Sequence, residues 1–184
     1  MKKIIFLVFP LIFLCTDIYA DAHPLALGAG FHAGAGSTGF EWAVSHSWDG
    51  VNRGEGTFGY SWNGDLDLEW SMLDVNLMYQ WYWNINDGFN FFAGPLVGLG
   101  VFWQEELMRL NYPPFLPYLQ TKTGMYFGVG GQIGLEYDFD YIDVPLIIST
   151  DIRPVMNLLG SSRMDSFFFV INIGVKWIIH LDDY

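Results

Sequence analysis

Residues 72–85 read Met-Leu-Asp-Val-Asn-Leu-Met-Tyr-Gln-Trp-Tyr-Trp-Asn-Ile. Apolar or aromatic side chains occupy every odd position from Leu73 to Ile85, while most even positions carry an amide or a carboxylate. Successive side chains of a β-strand point to opposite faces, so this alternation predicts a strand with one apolar and one polar face. The same alternation recurs along the chain, and its polar face is too polar for the core of a soluble barrel. The apolar face is therefore predicted to contact lipid.

Glycine, proline, asparagine and aspartate divide the chain into segments of strand length. The predicted strands are residues 24–35, 39–48, 53–63, 69–85, 88–104, 123–138, 144–157 and 166–180. Aromatic residues make up 18% of the 184-residue chain, and 21 glycines accompany them without any long apolar run. This composition, with an even number of strands, predicts an eight-stranded antiparallel up-and-down transmembrane β-barrel.

The first twenty residues are typical of a secretory signal peptide. Lys2 and Lys3 precede an apolar stretch from Ile4 to Leu14, and the small Ala20 stands where cleavage is expected. The predicted organisation is a signal peptide over residues 1–20 and a barrel over residues 21–184. Cleavage would remove Cys15, the only cysteine, which excludes disulfides and thiol chemistry from the barrel. The formal net charge of −12 argues against nucleic acid as a partner.

Connection lengths and tryptophans predict the orientation. The connections at residues 49–52, 86–87 and 140–143 are short, whereas that at residues 105–122 is long. Short turns face the periplasm in bacterial outer-membrane barrels. We therefore expect the chain to lie in the bacterial outer membrane, with both termini in the periplasm. Tryptophan prefers the membrane interfaces, and two aromatic belts are predicted. The periplasmic belt contains Trp48, Trp81, Trp83 and Trp177, and the outer belt contains Trp42, Trp62, Trp70 and Trp103.

Several segments carry a resemblance to known proteins. They are residues 79–85, 88–95 and 128–137, together with Pro145-Leu146 and Asp151-Ile152-Arg153-Pro154. The chain resembles a family of small outer-membrane β-barrels of Gram-negative bacteria, built on the plan of the outer-membrane protein A type barrel. This resemblance implies the fold and the location rather than an activity, because most members lack an assigned function.

The last predicted strand is similar to the β-signal that the barrel assembly machinery reads. The residues that carry the similarity are Asn172, Gly174, Trp177 and Ile179. It implies this machinery as a partner during biogenesis. The chain continues past the strand to Tyr184 instead of stopping at a terminal aromatic residue.

Charged residues on the polar face predict an ion network inside the barrel. Its members are Arg53, Glu55, Glu136, Asp151, Arg153 and Lys176. The inner face also carries Glu41 and Asp74. Eight strands leave room only for side chains, so the lumen should be filled. We expect Arg153 beside Asp151 and within reach of Glu136. The alternatives are a proton or ion path, which would make the barrel a narrow channel, and a catalytic carboxylate.

An enzyme acting on lipids is the runner-up to a structural or interaction role. Such barrels pair a serine with a histidine, and His32 with Ser37 or Ser45 is the pair that this sequence offers. No nucleophile motif surrounds either serine. The four histidines are dispersed without metal-ligand spacing, so neither a metal nor another cofactor is predicted.

The connection at residues 105–122 is the candidate partner loop. Its apolar and aromatic residues stand among three prolines: Met108, Leu110, Tyr112, Phe115 and Tyr118. Exposed aromatic groups on a proline-stiffened backbone lose little entropy on binding, which favours docking of an extracellular or membrane partner. The alternative is that the loop folds over the barrel mouth and buries its own aromatic side chains. Apart from such a partner, we expect contact with outer-membrane lipid.

Overall fold

The computed structural model describes residues 25–34, 37–48, 51–65, 68–109, 117–159 and 166–180. Within these ranges, eight strands and one short 3₁₀ helix make up the fold. Their bounds are β1 Leu25–Gly34, β2 Ser37–Ser47, β3 Asn52–Asp65, β4 Leu68–Asn86, β5 Phe89–Arg109, β6 Pro117–Asp138, the 3₁₀ helix Phe139–Ile142, β7 Leu146–Leu159 and β8 Phe167–Ile179. No helix among the described residues has the length and apolar character needed to cross a membrane.

The strands pair in chain order, every pair is antiparallel, and β1 pairs with β8 to close the barrel. The eight-stranded antiparallel up-and-down barrel is therefore confirmed. Paired positions can be followed once round the wall: Asn52, Trp81, Ala93, Ile133, Ile152, Ile171, Ala33, Thr38 and Trp62. The path leaves β3 at Asn52 and returns to it ten residues later. With usual strand spacings, a shear of ten tilts the strands by about 40°.

The two faces of the wall have inverted polarity. On the outside, Leu77, Ile133 and Ile173 are 60%, 56% and 59% exposed. On the inside, Gln80, Gln132 and Glu136 are between 0% and 2% exposed. Lipid, which dissolves aliphatic side chains, suits this outer surface better than water does.

The β2–β3, β4–β5 and β6–β7 connections, at residues 48–51, 87–88 and 139–145, lie at one end of the barrel, which we call the turn end. The β4–β5 connection is a two-residue turn in which Asp87 and Gly88 both have positive φ, as a type I′ hairpin turn requires. The 3₁₀ helix joins β6 to β7, and Asp143 in the left-handed region closes it. The start of β1 and the end of β8 lie at the same end.

At the opposite end of the barrel, which we call the hairpin end, the connection between β5 and β6 differs from the prediction. Residues 105–122 were expected to form a loop, but β5 continues to Arg109 and β6 begins at Pro117, with pairs as far as Arg109↔Pro117. Only residues 110–116 connect the two strands, and they lie outside the described residues. Pro117 is tolerated as the first residue of a strand because that position needs no ladder donor. At 21 and 22 residues, β5 and β6 are about twice as long as β1 and β2.

Candidate functional site: the ion network in the lumen

Arg153 is the centre of the ion network. Its Nη1 and Nη2 donate to the two carboxylate oxygens of Glu41 at 2.6 and 2.8 Å. Its Nε and Nη2 donate to Asp151 at 2.5 and 3.0 Å, and Asn172 Nδ2 donates to the same carboxylate at 3.1 Å. The guanidinium therefore holds two buried carboxylates, each through both of its oxygens, in the bidentate geometry that suits arginine.

The expected proximity of Arg153 to Asp151 is present, but Glu136 is not its partner. In the β6–β7 ladder Glu136 faces Ser149, four residues before Arg153 along β7. Four residues of strand separate the two positions by about 13 Å. The sequence places Glu41 on the inner face without identifying it as the partner, since 112 residues separate it from Arg153.

Lys176 and Arg53 complete the network. Lys176 Nζ is ion-paired with Glu55, whose other oxygen lies 4.0 Å from Arg153 Nη2. This contact joins the Lys176 pair to the Arg153 group. Arg53 Nη2 lies 2.7 Å from Glu136 Oε2. The six residues of the predicted network are thus all buried inside the barrel, and Glu41 joins them.

Neutral groups hold the Arg53–Glu136 pair in place. Arg53 Nε donates to Gln80 Oε1, and the hydroxyl of Tyr82 donates to Glu136. The Arg53 guanidinium also lies over the rings of Tyr82 and Phe92, 4.7 and 5.3 Å from their centroids. Phe92 finds room because Gly134 faces it across the β5–β6 ladder, where a Cβ would collide with its ring.

An apolar cluster fills the lumen toward the hairpin end. Met72, Phe102 and Tyr126 are buried together, and Trp70 and Phe168 pack against them. Asp74, which accepts a hydrogen bond from Asn76, lies one inward position nearer the turn end than Met72. Charged and apolar side chains thus succeed each other along the described part of the lumen.

The histidine and serine suggested for catalysis are not brought together. His32 lies opposite Gly39 and Ser45 lies opposite Ala26, about 20 Å away along the strand. The side chain of Ser37 lies outside the described set. His32 Nε2 is instead 2.7 Å from Ser61 Oγ, and both residues are buried. His32 Nδ1 has no hydrogen-bond partner within the described part of the chain, so no carboxylate orients the ring.

Two tryptophans depart from the predicted belts. Trp70 shares the inner face with Met72 and packs in the apolar cluster, because alternation along β4 turns it inward. Trp42 lies at the middle of β2 and stacks on Phe58, because β2 begins at Ser37, further toward the hairpin end than predicted. Of the others, Trp48, Trp81, Trp83 and Trp177 lie near the turn end, while Trp62 and Trp103 lie in the hairpin-end parts of their strands.

Of the remaining predicted residues, those that the structure describes fall on β5, β6 and β8. Met108 and Tyr118 are paired strand positions, while Leu110, Tyr112 and Phe115 lie outside the described residues. In β8, Asn172 and Gly174 face the lumen and Trp177 faces outward, with Ile179 as the last strand residue. No group of three or more histidine, cysteine, aspartate or glutamate side chains able to hold a metal occurs in the described ranges.

Comparison with known proteins identifies a fold. No protein-family model matches the chain, and no curated protein matches it either. Among solved structures, a major outer membrane protein of Thermus thermophilus superposes with a TM-score of 0.61 at 11% identity, covering 86% of this chain and all of that one. Neisserial surface protein A superposes with a TM-score of 0.58 at 10% identity, covering 85% and 97%. The resemblance to small outer-membrane barrels is confirmed for the fold.

Proposed function

We propose that the protein is an outer-membrane barrel of a Gram-negative bacterium that binds a partner through its projecting β5–β6 hairpin. The turn end and both termini face the periplasm, and the ion network in the lumen serves to stabilise the barrel. The apolar outer surface and the likeness in fold support the location. The predicted signal peptide of residues 1–20 supports export to the periplasm. The similarity of β8 to the β-signal supports insertion into the outer membrane by the barrel assembly machinery.

The observation that carries the interaction role is the open edge of the hairpin. The β6–β7 ladder ends at Phe127↔Leu159, so β6 extends ten residues, from Pro117, beyond its last described pairing with β7. A membrane crossing needs about 9 to 11 strand residues, and the part of β6 beyond this length extends outside the bilayer. An unpaired strand edge in water is a template for an added strand. An extended segment of an extracellular or membrane protein fits it.

The two other functions have weaker support. A lipid hydrolase needs a nucleophile that lipid can reach, whereas Ser61 and His32 lie in a closed lumen. A channel needs a continuous path, whereas ion pairs and then the Met72–Phe102–Tyr126 cluster occupy the described lumen. The interaction role therefore stands as the proposal.

The orientation predicts opposite labelling of two single-cysteine variants in whole cells. Thr121→Cys, on the exposed hairpin edge, should react with a membrane-impermeant maleimide. Asp143→Cys, in the turn-end connection, should react only after the cells are lysed. Cys15 lies in the predicted signal peptide and does not interfere. Reaction of Asp143→Cys in intact cells, with protection of Thr121→Cys, would reverse the orientation.

The interaction role predicts position-specific crosslinking. A photoreactive amino acid at Thr121 or Thr123 should yield a protein adduct in living cells. The matched control is the same amino acid at Leu77, which points outward from the barrel wall and should crosslink only lipid. Adducts should be competed by an excess of purified wild-type barrel. If neither hairpin position gives a protein adduct, the docking role is rejected.

A further inference from the structure

A cavity of about 450 Å³ opens inside the turn end of the barrel. Its walls carry one cation and three carboxylates: Arg53, Glu136, Asp138 and Asp140. Arg53 and Glu136 are ion-paired with each other, so Asp138 and Asp140 give the cavity an excess of two negative charges. The volume lies within the range of about 300 to 1,000 Å³ that small-molecule sites occupy.

Other polar and apolar groups also line the cavity. Ser45 is 2% exposed and lines the cavity, and no side-chain hydrogen bond within the described residues engages its hydroxyl. The hydroxyl is therefore available to a ligand or to water in the cavity. Ala26, Ile147 and Ile178 form a small apolar cluster on the same cavity.

We infer that this cavity binds a small aliphatic amine, with two ammonium groups favoured over one. The ammonium groups pair with Asp138 and Asp140, and the methylene chain packs on Ala26, Ile147 and Ile178. Ser45 accepts a further hydrogen bond from an ammonium group. Asp138 Oδ1 already accepts from the Asp140 backbone N–H at 2.9 Å, which leaves its second oxygen for the ligand.

Other ligand classes fit less well. An anion would meet the carboxylates, since the one cation of the cavity walls is already ion-paired. A bare metal ion would need a cluster of ligating side chains that does not occur within the described part of the chain. The amine comes from the periplasm if the turn end faces there, which rests on the proposed function. Binding to the purified barrel does not depend on that orientation, so the two ideas fail separately.

The test is calorimetric titration of the folded barrel in detergent micelles with 1,5-diaminopentane, 1-aminopentane and pentanoate. His180 Nε2 lies 3.3 Å from Asp140 Oδ2, and the titrations are carried out at pH 8. The diamine should bind at least tenfold more tightly than the monoamine, and the carboxylate should not bind. No heat from the diamine overturns the proposal. Tight binding of an oligolysine peptide without any binding of the diamine would also overturn the proposal. It would mean that the cavity opening binds a basic protein segment instead.

Two variants of one connection provide the matched control. Asp140→Asn and Asp143→Asn each remove one negative charge from the turn end, but only Asp140 lines the cavity. Asp140→Asn should weaken diamine binding at least tenfold, and Asp143→Asn less than twofold. Ser45→Val should fill part of the cavity and also lower affinity, with heat-modifiable migration in gels reporting that the barrel is folded. Equal weakening by the two aspartate variants would reveal diffuse charge attraction and overturn the site.

Discussion

Replacing Arg153 by alanine is expected to lower the free energy of unfolding by about 3 to 5 kcal/mol, the usual effect of removing one partner of a buried ion pair. Arg153 is 3% exposed, and its guanidinium provides hydrogen bonds to both Glu41 and Asp151. Without it, two carboxylates remain buried with no cation at their centre. Urea unfolding in lipid vesicles, followed by tryptophan fluorescence, measures the loss.

A double variant separates the ion pair from general packing. Glu41→Gln removes one of the carboxylates that Arg153 holds, so Glu41→Gln with Arg153→Ala should be less destabilised than the sum of the two single variants. Arg153→Lys keeps the charge but loses the bidentate geometry, and should fall between wild type and Arg153→Ala. A loss below about 1 kcal/mol in Arg153→Ala would mean that lumen water already solvates these carboxylates.

The wall of the barrel was predictable because its signal is local. The side chains of residues two positions apart share a face, so an inward residue such as Asn76 and an outward one such as Leu77 can be assigned from the alternation around them. Lipid on one side and a narrow lumen on the other keep the two faces chemically distinct over the membrane-spanning part of each strand. Eight repetitions of this pattern were enough to predict the fold.

Partners across the lumen were not predictable in the same way. The pairing of Arg153 with Glu41 depends on the shear of ten, which decides which inward residues of β2 and β7 lie at the same height. No short segment of sequence records the shear, since it is the sum of register choices made in all eight ladders. The same limit explains why Ser61, rather than Ser37 or Ser45, is the partner of His32.

The hairpin was missed for a different reason. Beyond the membrane, both faces of a strand meet water, so the contrast between apolar and polar positions disappears. Gln120, Thr121 and Lys122, which the proposed function places outside the membrane, therefore looked like loop residues, although the backbone of β6 continues through them in register with β5. Alternation reports where a strand is immersed in lipid and not where it ends.

Replacing Leu77 by arginine is expected to reduce the stability of the folded barrel in the membrane by about 2 to 4 kcal/mol. Leu77 is 60% exposed on the outer surface and lies near the middle of β4. An arginine there must take its charge into hydrocarbon or bend the side chain toward an interface. Reversible folding into vesicles, titrated with guanidinium chloride, measures the change.

The control is an arginine substitution on the same outer face of β4 but at a different depth in the membrane. Ile85 is 61% exposed at the turn end of β4, eight residues further along the strand than Leu77. Ile85→Arg should reduce the stability by only about 0 to 1 kcal/mol, because an arginine near the interface reaches water and head groups. Leu77→Arg and Ile85→Arg remove nearly equal apolar surface, so the difference between them isolates membrane depth. Equal effects at the two positions would show that Leu77 does not lie in the hydrocarbon layer, and the lipid-facing assignment of the outer surface would have to be withdrawn.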